Sequence, residues 1–238
     1  MKLYAYCLVE DPDTFDASTR GISGAAVRLQ QIDEYGVLVS DFDSDTVAVT
    51  RDNALDHAAV VRSVLDRTTP LPFRFGTLVT DEQLRSYISA RKPALHTRFE
   101  LVRGCVEMSV KIIREVSTDN KEREPQEAVT SGTTFLQEKR REIRGSEQSA
   151  AEAKNISTWL HDQVKTLTRD EQVTLRPSEK LVVAAAHLVE RDKIPQYKQR
   201  MASIRENRPE LHFLFSGPWP PYSFANIELE FKSQIGVS

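Results

Sequence analysis

Apolar residues near the start of the chain follow the patterns of β-strands. Residues 3–9 are apolar or aromatic throughout, which is typical of a central strand buried on both faces. The apolar runs 27–32 and 37–40 flank the turn-forming residues 33–36 (DEYG), and this arrangement predicts a hairpin. The valines in residues 47–49 predict a further short extended stretch.

A helix is predicted after these strands, with Asn53 as its N-cap. Its apolar positions recur at helical spacing and form one face: His57, Val60, Val61 and Val64. His57 on this face is expected to be a buried, hydrogen-bonded histidine, and a catalytic base is the alternative. The prolines of residues 70–72 then exclude a helix and predict an extended segment over 73–79.

A second helix begins at a capping box formed by Thr80 and Gln83. Pro93 is expected to break or kink it, because proline lacks the amide hydrogen that a helix interior needs. Helical spacing of apolar residues resumes after Pro93 and stops at Gly104, a favourable C-terminal cap. The sequence therefore predicts two helical stretches between Thr80 and Gly104.

The second half of the chain alternates strands and helices. Residues 106–112 alternate apolar and polar positions and predict a half-buried strand. A narrow apolar stripe without proline runs from 133 to 169, which indicates one long helix or two joined helices. Residues 181–189 are apolar throughout and predict a buried strand. An amphipathic helix at 194–204 and a last strand at 211–215 follow.

These elements predict an α+β protein of two domains. We expect an N-terminal mixed α/β domain at 1–103 and a C-terminal ferredoxin-like α/β sandwich with a long helix at 104–216. The β-α-β-α-β order of the second domain leaves one strand of that sandwich missing or modified. A tail rich in proline and aromatic residues follows at 217–238, and the very polar stretch 116–131 is expected to be a mobile loop.

Composition narrows the classes of function. The chain has 238 residues, of which 39% are apolar and 28% charged, and its net charge of −3 argues against a general nucleic-acid binder. Cys7 and Cys105 lie in apolar runs and are expected to be buried thiols rather than parts of a disulfide or zinc site. No run of about 18 apolar residues and no signal peptide is evident, so we expect a cytoplasmic protein without a membrane segment.

The sequence contains no motif for a cofactor or for catalysis. None of the five histidines lies within four residues of another, so no helical metal pair is present. Gly-rich phosphate loops and a nucleophile elbow are also absent. We therefore expect no cofactor, no bound metal and no enzymatic activity.

Residues 70–77 (PLPFRFGT) are the first candidate for a functional segment. Arg74 lies between Phe73 and Phe75 and is followed closely by Gly76. A guanidinium in this position needs an acid, a helix end or a partner to bind. We expect an internal contact that stabilises the fold, and a contact with a partner protein is the alternative.

Residues 217–224 (GPWPPYSF) are the second candidate. Their prolines make the backbone rigid, and Trp219 and Tyr222 supply large aromatic surfaces. Such a run forms either a docked turn or a recognition surface of the polyproline kind. We expect the docked turn and keep the recognition surface as the alternative.

These two segments, together with others, resemble the gas vesicle protein F/L family, GvpF/GvpL. His57, in a helix before the first segment, also fits the family pattern. The segments that carry the resemblance are, in chain order, 4–10 (YAYCLVE), 70–77 (PLPFRFGT), 104–112 (GCVEMSVKI), 131–140 (SGTTFLQEKR) and 216–224 (SGPWPPYSF). Because these segments are spread over the whole chain, the resemblance covers both expected domains.

The resemblance implies a role in assembly rather than catalysis. Members of this family are accessory or minor structural components of gas vesicles, the gas-filled, protein-walled organelles that give buoyancy to some prokaryotes. The implied partners are the hydrophobic shell protein GvpA and other vesicle accessory proteins, in the cytoplasm and at the vesicle. The implied fold has an N-terminal α+β domain and a C-terminal ferredoxin-like domain, and the resemblance does not separate the F member from the L member.

We expect the shell protein to contact mainly the first domain, with residues 217–238 assisting. A hydrophobic partner needs apolar surface or an open strand edge, and two short helices cannot cover every apolar side chain of this domain. The side chains expected to remain available are Tyr4, Tyr6, Val37, Val39, Val47 and Val49.

Two other functions remain open. A ferredoxin-like RNA-binding protein predicts aromatic residues on adjacent strands and a basic face. A protein that binds or transforms a small molecule predicts a pocket with titratable groups, for which His57 and Arg74 are the candidates.

Overall fold

A computed structural model describes residues 2–10, 19–114, 132–175 and 181–227. The chain forms two compact units, residues 1–107 with 217–238 and residues 108–216. The first unit is therefore discontinuous in sequence, because the chain leaves it and returns near its end. Whether the pieces 1–103 and 104–216 fold as independent domains stays a prediction.

The described residues form strands and α-helices in both units. The elements are β1 (Lys2–Val9), β2 (Arg28–Ile32), β3 (Tyr35–Phe42), α1 (Arg51–Ser63), β4 (Leu71–Pro72), β5 (Leu78–Val79), α2 (Asp81–Val102), β6 (Cys105–Arg114), α3 (Gly132–Val164), β7 (Asp170–Leu175), β8 (Leu181–Glu190), α4 (Ile194–Asn207), β9 (Leu211–Trp219) and α5 (Tyr222–Ala225). The predicted α+β class is confirmed.

The sheet of the first unit is built around β1. Its strand order is β2-β3-β1-β4, with β5 also paired to β1, and all these pairs are antiparallel. Residues 3–9 of β1 are buried, as their uninterrupted apolar run predicts. The β2–β3 hairpin is confirmed with a tighter turn than expected, since only Asp33 and Glu34 connect the strands.

Residues 47–49, predicted to be extended, lie outside the described strands. Val47 is buried in the core of the first unit and Val49 is exposed. The same core covers Tyr4 and Tyr6, so the expected surplus of apolar surface on the strands is wrong. Loop residues join helix α1 in covering them: Ile22, Val27, Val47, Val60, Val61 and Val64.

Helix α1 begins after Thr50 rather than at Asn53. The Thr50 hydroxyl accepts a hydrogen bond from the Asn53 backbone N–H at 3.2 Å, so Thr50 is the N-cap. Asn53 lies inside the first turn, where its side-chain amide donates to the Ala48 carbonyl at 2.9 Å. The buried face predicted around His57 is confirmed.

Helix α2 continues through Pro93 as one helix of 22 residues. Of the predicted break or kink at Pro93, the break is wrong, and the capping box of Thr80 and Gln83 is confirmed. Proline removes one backbone hydrogen bond, but apolar side chains pack into the core on both sides of it. These side chains are Leu84, Ile88, Leu95, Phe99 and Val102.

Residues 74–77 form a turn instead of the predicted extended segment. The Thr77 backbone N–H donates to the Arg74 carbonyl at 3.2 Å. Gly76, the third residue of this turn, has φ +83°, which favours glycine because a side chain is strained there. Phe73 and Phe75 therefore flank the start of a turn rather than one face of a strand.

The second unit has a four-stranded sheet with strand order β7-β8-β6-β9. Its chain order is β-α-β-β-α-β, which is the ferredoxin-like order. The strand expected to be missing is β7, which pairs antiparallel with β8 from Asp170 opposite Leu188 to Leu175 opposite Val183. Helix α3 correspondingly ends at Val164 and not at residue 169.

Strand β9 reaches Trp219 and passes through Pro218, so the prolines do not end it where expected. β9 lies at an edge of the described sheet, where a residue without an amide hydrogen is tolerated. The expected loop at 116–131 lies outside the described residues.

Candidate interaction surface

The tip of the 74–77 turn is fixed from inside by Tyr4. The Gly76 backbone N–H donates to the Tyr4 hydroxyl at 3.0 Å, and this hydroxyl lies 2.8 Å from Nδ1 of His57. The Tyr4 hydroxyl accepts from Gly76 through a lone pair, so its own proton remains available to Nδ1 of His57. Burial lowers the pKa of His57 to about 4, and the nearby Phe73 backbone opposes this shift.

This arrangement brings together three features of the sequence that are far apart in the chain. The opening strand supplies Tyr4, the first helix supplies His57, and the PLPFRFGT segment supplies Gly76 and Phe75. The ring of Phe75 lies 5.9 Å from the imidazole of His57 in a T-shaped contact. His57 is thus the hydrogen-bonded core histidine that the sequence predicts.

The SGPWPPYSF segment is held in place by Glu107. The Ser223 backbone N–H donates to Oε2 of Glu107 at 2.7 Å, and the Ser223 hydroxyl donates to Oε1 at 2.9 Å. Glu107 is almost fully buried, and burial raises its pKa. Phe224 and Ile227 are buried beyond this anchor, so residues 223–227 are docked.

Two aromatic side chains of the docked segment remain at the surface. Trp219 is 40% exposed and Tyr222 is 41% exposed. The guanidinium of Arg62 lies over the Trp219 ring, 5.8 Å from its centroid, in a cation–π contact. The segment is therefore a docked turn that also presents aromatic surface.

Arg62 connects Trp219 to an exposed apolar face of helix α1. Leu55 and Ala58 are seven and four residues before Arg62, so all three lie on the same side of the helix. Leu55 is 55% exposed, and Ala58 is also exposed. We call Leu55, Ala58, Arg62 and Trp219 the α1–Trp219 surface.

The six site residues proposed from the sequence fall into two groups. Phe73 is buried, Phe75 is half-buried and Gly76 shapes the turn, so these three support the fold. Arg74 is exposed beside them. The exposed group is Arg74, Trp219 and Tyr222.

Sequence reasoning missed Leu55, Arg62 and the anchoring role of Glu107. One signal for Leu55 was present, since it lies among alanines on the side of α1 opposite His57. Such a position on an exposed helix face is normally polar. The contact between Glu107 and Ser223 joins residues 116 positions apart, and no local pattern indicates it.

The rival functions gain no support from the geometry. Ser109, Lys111, Ala184 and Ala186 occupy the face of the central strands β6 and β8 opposite the helices, since the alternate residue His187 contacts Tyr197 of α4. RNA-binding sheets of this type use aromatic residues on that face, and these four positions have none.

A cleft of about 490 Å³ in the second unit has a mostly polar lining that contains no histidine, cysteine or carboxylate. It is lined by Gln163, Leu167, Gln196, Gln199, Arg200, Ser203, Ile204 and Asn207. Within the described ranges, no group of three or more His, Cys, Asp or Glu residues is placed to hold a metal ion. A search of the same ranges found no helix with the length and hydropathy needed to cross a membrane.

Comparisons with known proteins identify a family whose members match this chain over nearly its whole length. The family model described as "Gas vesicle synthesis protein GvpL/GvpF" matches residues 2–226. Gas vesicle protein L2 of Halobacterium salinarum is 30% identical, over 93% of this chain and 90% of that protein. Gas vesicle protein F1 of the same organism is 23% identical, over 98% of this chain and 97% of that protein.

The fold is also that of a solved relative. The crystal structure of GvpF from Anabaena sp. PCC7120 superposes with a TM-score of 0.77 at 21% identity, covering 95% of this chain and 97% of that one. The family match covers residues 2–226, and this range includes the segments that form the Tyr4–His57–Gly76 and Glu107–Ser223 contacts. The chain is a member of the GvpL/GvpF family of gas vesicle proteins.

Proposed function

We propose that this protein is a non-enzymatic accessory protein of gas vesicles that binds the shell protein GvpA in the cytoplasm and supports nucleation and assembly. Membership of the GvpL/GvpF family supports the association with gas vesicles. The observation that carries the proposal is that Trp219 and Tyr222 stay exposed although the segment around them is anchored. Rigidly held exposed aromatic side chains are typical of protein interfaces.

The physical need for such a partner follows from the nature of a hydrophobic shell subunit. Before assembly, its apolar surface and strand edges would aggregate with other copies. A soluble protein that covers this surface prevents aggregation without nucleotide or metal. Other vesicle accessory proteins are further partners under the same proposal.

The α1–Trp219 surface is the part of the first unit that we assign to this contact. It combines the aliphatic side chain of Leu55, a flat alanine position and the aromatic ring of Trp219. Aromatic and arginine side chains contribute a large share of binding free energy in protein interfaces. Exposed Arg74 is a second contact residue in this proposal.

The test uses the full chain, because the first unit includes residues on both sides of the second. Tagged wild type and the variants Leu55→Ser and Trp219→Ser are co-expressed with GvpA, and the co-purified GvpA is measured. Each variant is expected to reduce binding at least about fivefold. The control Leu175→Ser removes an exposed leucine of the second unit and is expected to bind as the wild type does.

Arg74→Ala distinguishes a contact between Arg74 and GvpA from a role of Arg74 in stabilising the fold. Because Arg74 is exposed, its interactions within the chain contribute at most about 1 kcal/mol, so the free energy of unfolding is expected to stay within about 1 kcal/mol of wild type while GvpA binding weakens. Full GvpA binding by the Leu55, Trp219 and Arg74 variants would show that this surface is not the contact. A shared loss with the Leu175→Ser control would point to a general defect instead.

A further inference from the structure

Strand β9 forms a sheet edge that differs from the others. In the described residues the first sheet ends at β2 on one side and at β4 and β5 on the other, and the second sheet ends at β7 and β9. β2 carries Arg28, β7 carries Asp170 and Glu171, and β4 and β5 have only two residues each. β9 is nine residues long and contains no Asp, Glu, Lys or Arg.

Charged side chains and short length are two ways in which proteins prevent an edge strand from pairing with another chain. β9 has neither of them. Its one proline, Pro218, lies near the C-terminal end of the strand. Residues 211–216 therefore keep their backbone N–H groups and include no Asp, Glu, Lys or Arg that would oppose pairing.

Large apolar side chains are exposed on both faces of this strand. Leu214 is 56% exposed and Phe215 is 38% exposed. The Phe215 ring stacks on Tyr197 of α4 with centroids 5.8 Å apart, which places Phe215 on the helix side of the sheet. Leu214 is on the opposite side, because successive side chains of a strand alternate.

We propose that two copies of this chain associate through antiparallel pairing of their β9 strands. Most soluble homodimers use the same patch on both copies, related by a two-fold axis. An axis through Leu214 places Leu214 opposite its counterpart and Phe213 opposite Phe215 of the second copy. The result is one continuous sheet of eight strands, four from each copy.

The chemistry of β9 favours a second copy over a different partner. Pairing a strand with itself can bring like charges together, but β9 contains no Asp, Glu, Lys or Arg, and the proposed register places His212 opposite Ser216 of the second copy. The proposed register forms two Phe213–Phe215 pairs, and aromatic pairs across antiparallel strands are stabilising. Tyr197 extends this stack within each copy. This proposal does not depend on shell-protein binding.

The first test measures the mass of the full chain by sedimentation over a wide concentration range. Wild type is expected to shift from monomer to dimer, and Leu214→Lys to weaken association at least about tenfold, because two lysines then face each other across the axis. The control Leu175→Lys changes an exposed leucine on the opposite edge strand β7 and is expected to dimerise normally.

The second test is Leu214→Cys, which keeps the experiment decisive if Leu214→Lys fails to fold. Directly opposed residues have Cβ atoms about 4.5–5.5 Å apart, close to the separation that a disulfide needs. Oxidation is expected to give a covalent dimer, against a low background because Cys7 and Cys105 are buried. Leu175→Cys is the matched control, which is expected to dimerise through β9 without forming a disulfide-linked dimer.

Two results would overturn the proposal. One is a wild-type chain that stays monomeric throughout, with no cross-link from Leu214→Cys, which would leave the edge to a strand of another protein. The other is a dimer that Leu214→Lys does not weaken and Leu214→Cys does not trap, which would place the dimer contact elsewhere.

Discussion

Each unit buries one histidine against one tyrosine, and the two pairs differ in what depends on the tyrosine. In the first unit the Tyr4 hydroxyl bonds both Nδ1 of His57 and the backbone N–H of Gly76. In the second unit the Tyr197 hydroxyl lies 2.5 Å from Nδ1 of His187, the one contact described for it. The first pair therefore positions a surface turn, and the second links strand β8 to helix α4.

The surroundings of the two imidazoles also differ. His57 lies among aromatic rings, including those of Tyr6 and Phe75. His187 has Nε2 at 3.8 Å from Oε2 of Glu171, whose other oxygen lies 2.8 Å from Nδ1 of His161. A proton added to His187 lies near the carboxylate of Glu171, whereas a proton added to His57 lies among aromatic rings. Burial nevertheless lowers the pKa of both imidazoles to about 4.

The two tryptophans allow each unit to be followed separately. Trp219 belongs to the first unit, and Trp159 belongs to the second, where the Arg208 guanidinium lies 4.8 Å from its ring centroid. Trp159→Phe leaves fluorescence from the first unit alone, and Trp219→Phe leaves it from the second alone. Further substitutions made in the Trp159→Phe chain report on the first unit, and those made in the Trp219→Phe chain report on the second.

Tyr4→Phe is expected to have the largest effect. It removes the partner of both His57 and Gly76, and each unsatisfied group costs about 1–3 kcal/mol, so we expect a loss of about 2–4 kcal/mol. Tyr197→Phe removes one partner and is expected to cost about 1–2 kcal/mol. Urea unfolding followed by fluorescence measures both losses, and equal losses would contradict the proposed difference between the pairs.

Acid is expected to lower the free energy of unfolding of both units, by less than Tyr4→Phe does. Each imidazole has a pKa near 6.5 when unfolded and about 4 when folded, so the unfolded chain binds protons more readily between these values. Stability is retained above pH 6.5 and lost as the pH falls toward 4, by about 2 kcal/mol per histidine between pH 7 and pH 5.

The variants His57→Gln and His187→Gln assign this loss to its source. Each is expected to remove the loss of about 2 kcal/mol that its own histidine contributes between pH 7 and pH 5, as seen from Trp219 or Trp159 fluorescence, and to leave the other unit unchanged. Unfolding curves at pH 7 and pH 5 provide the measurement. A pH dependence that survives in both variants would rule out the buried histidines as its cause.

Glu171→Gln is expected to make the two pairs more alike. The carboxylate favours the protonated form of the nearby His187, so its removal makes the second unit more sensitive to acid. We expect a change below about 1 kcal/mol, because Glu171 is partly exposed to solvent. The acid midpoint of Trp159 fluorescence should rise while that of Trp219 stays fixed. An unchanged Trp159 midpoint would show that Glu171 has no influence on His187.

Glu107→Gln is expected to have the smallest effect. Burial raises the pKa of Glu107, so its ionised form lowers stability at neutral pH, and this cost disappears as the pH falls. Glutamine removes the cost and can still bond the backbone and hydroxyl of Ser223. We expect the free energy of unfolding at pH 7 to change by less than about 1 kcal/mol. A larger loss, seen from Trp219, would show that the negative charge itself holds the segment.

Elements with strong apolar periodicity could be predicted from the sequence. Strands β1, β6 and β8, and the buried faces of α1 and α4, lie where their apolar residues indicate. Strand β7 could not be predicted, because DEQVTL has no apolar run and its pairing with β8 makes it a strand. The break predicted at Pro93 does not occur, because packing of apolar side chains on both sides of it outweighs one lost hydrogen bond. Here the local pattern indicated an interruption that tertiary packing prevents.

The candidate surface was only partly predictable. The rigid GPWPPYSF segment indicated Trp219 and Tyr222, and the structure shows both at the surface. The residues that hold or extend this surface lie far away in sequence, such as Glu107, 116 positions before Ser223. Local spacing contains no information about such contacts, so only the three-dimensional arrangement reveals Arg62 beside Trp219.

The discontinuous first unit affects the order in which the protein is made. Residues 108–216 emerge from the ribosome before residues 217–227 do. The second unit can therefore finish folding first, although its residues come later than most of the first unit. Until Phe224 and Ile227 emerge, the first unit lacks these two buried side chains, and the apolar surface that they cover stays exposed. Translation that stops early would yield chains without the α1–Trp219 surface and prone to aggregation.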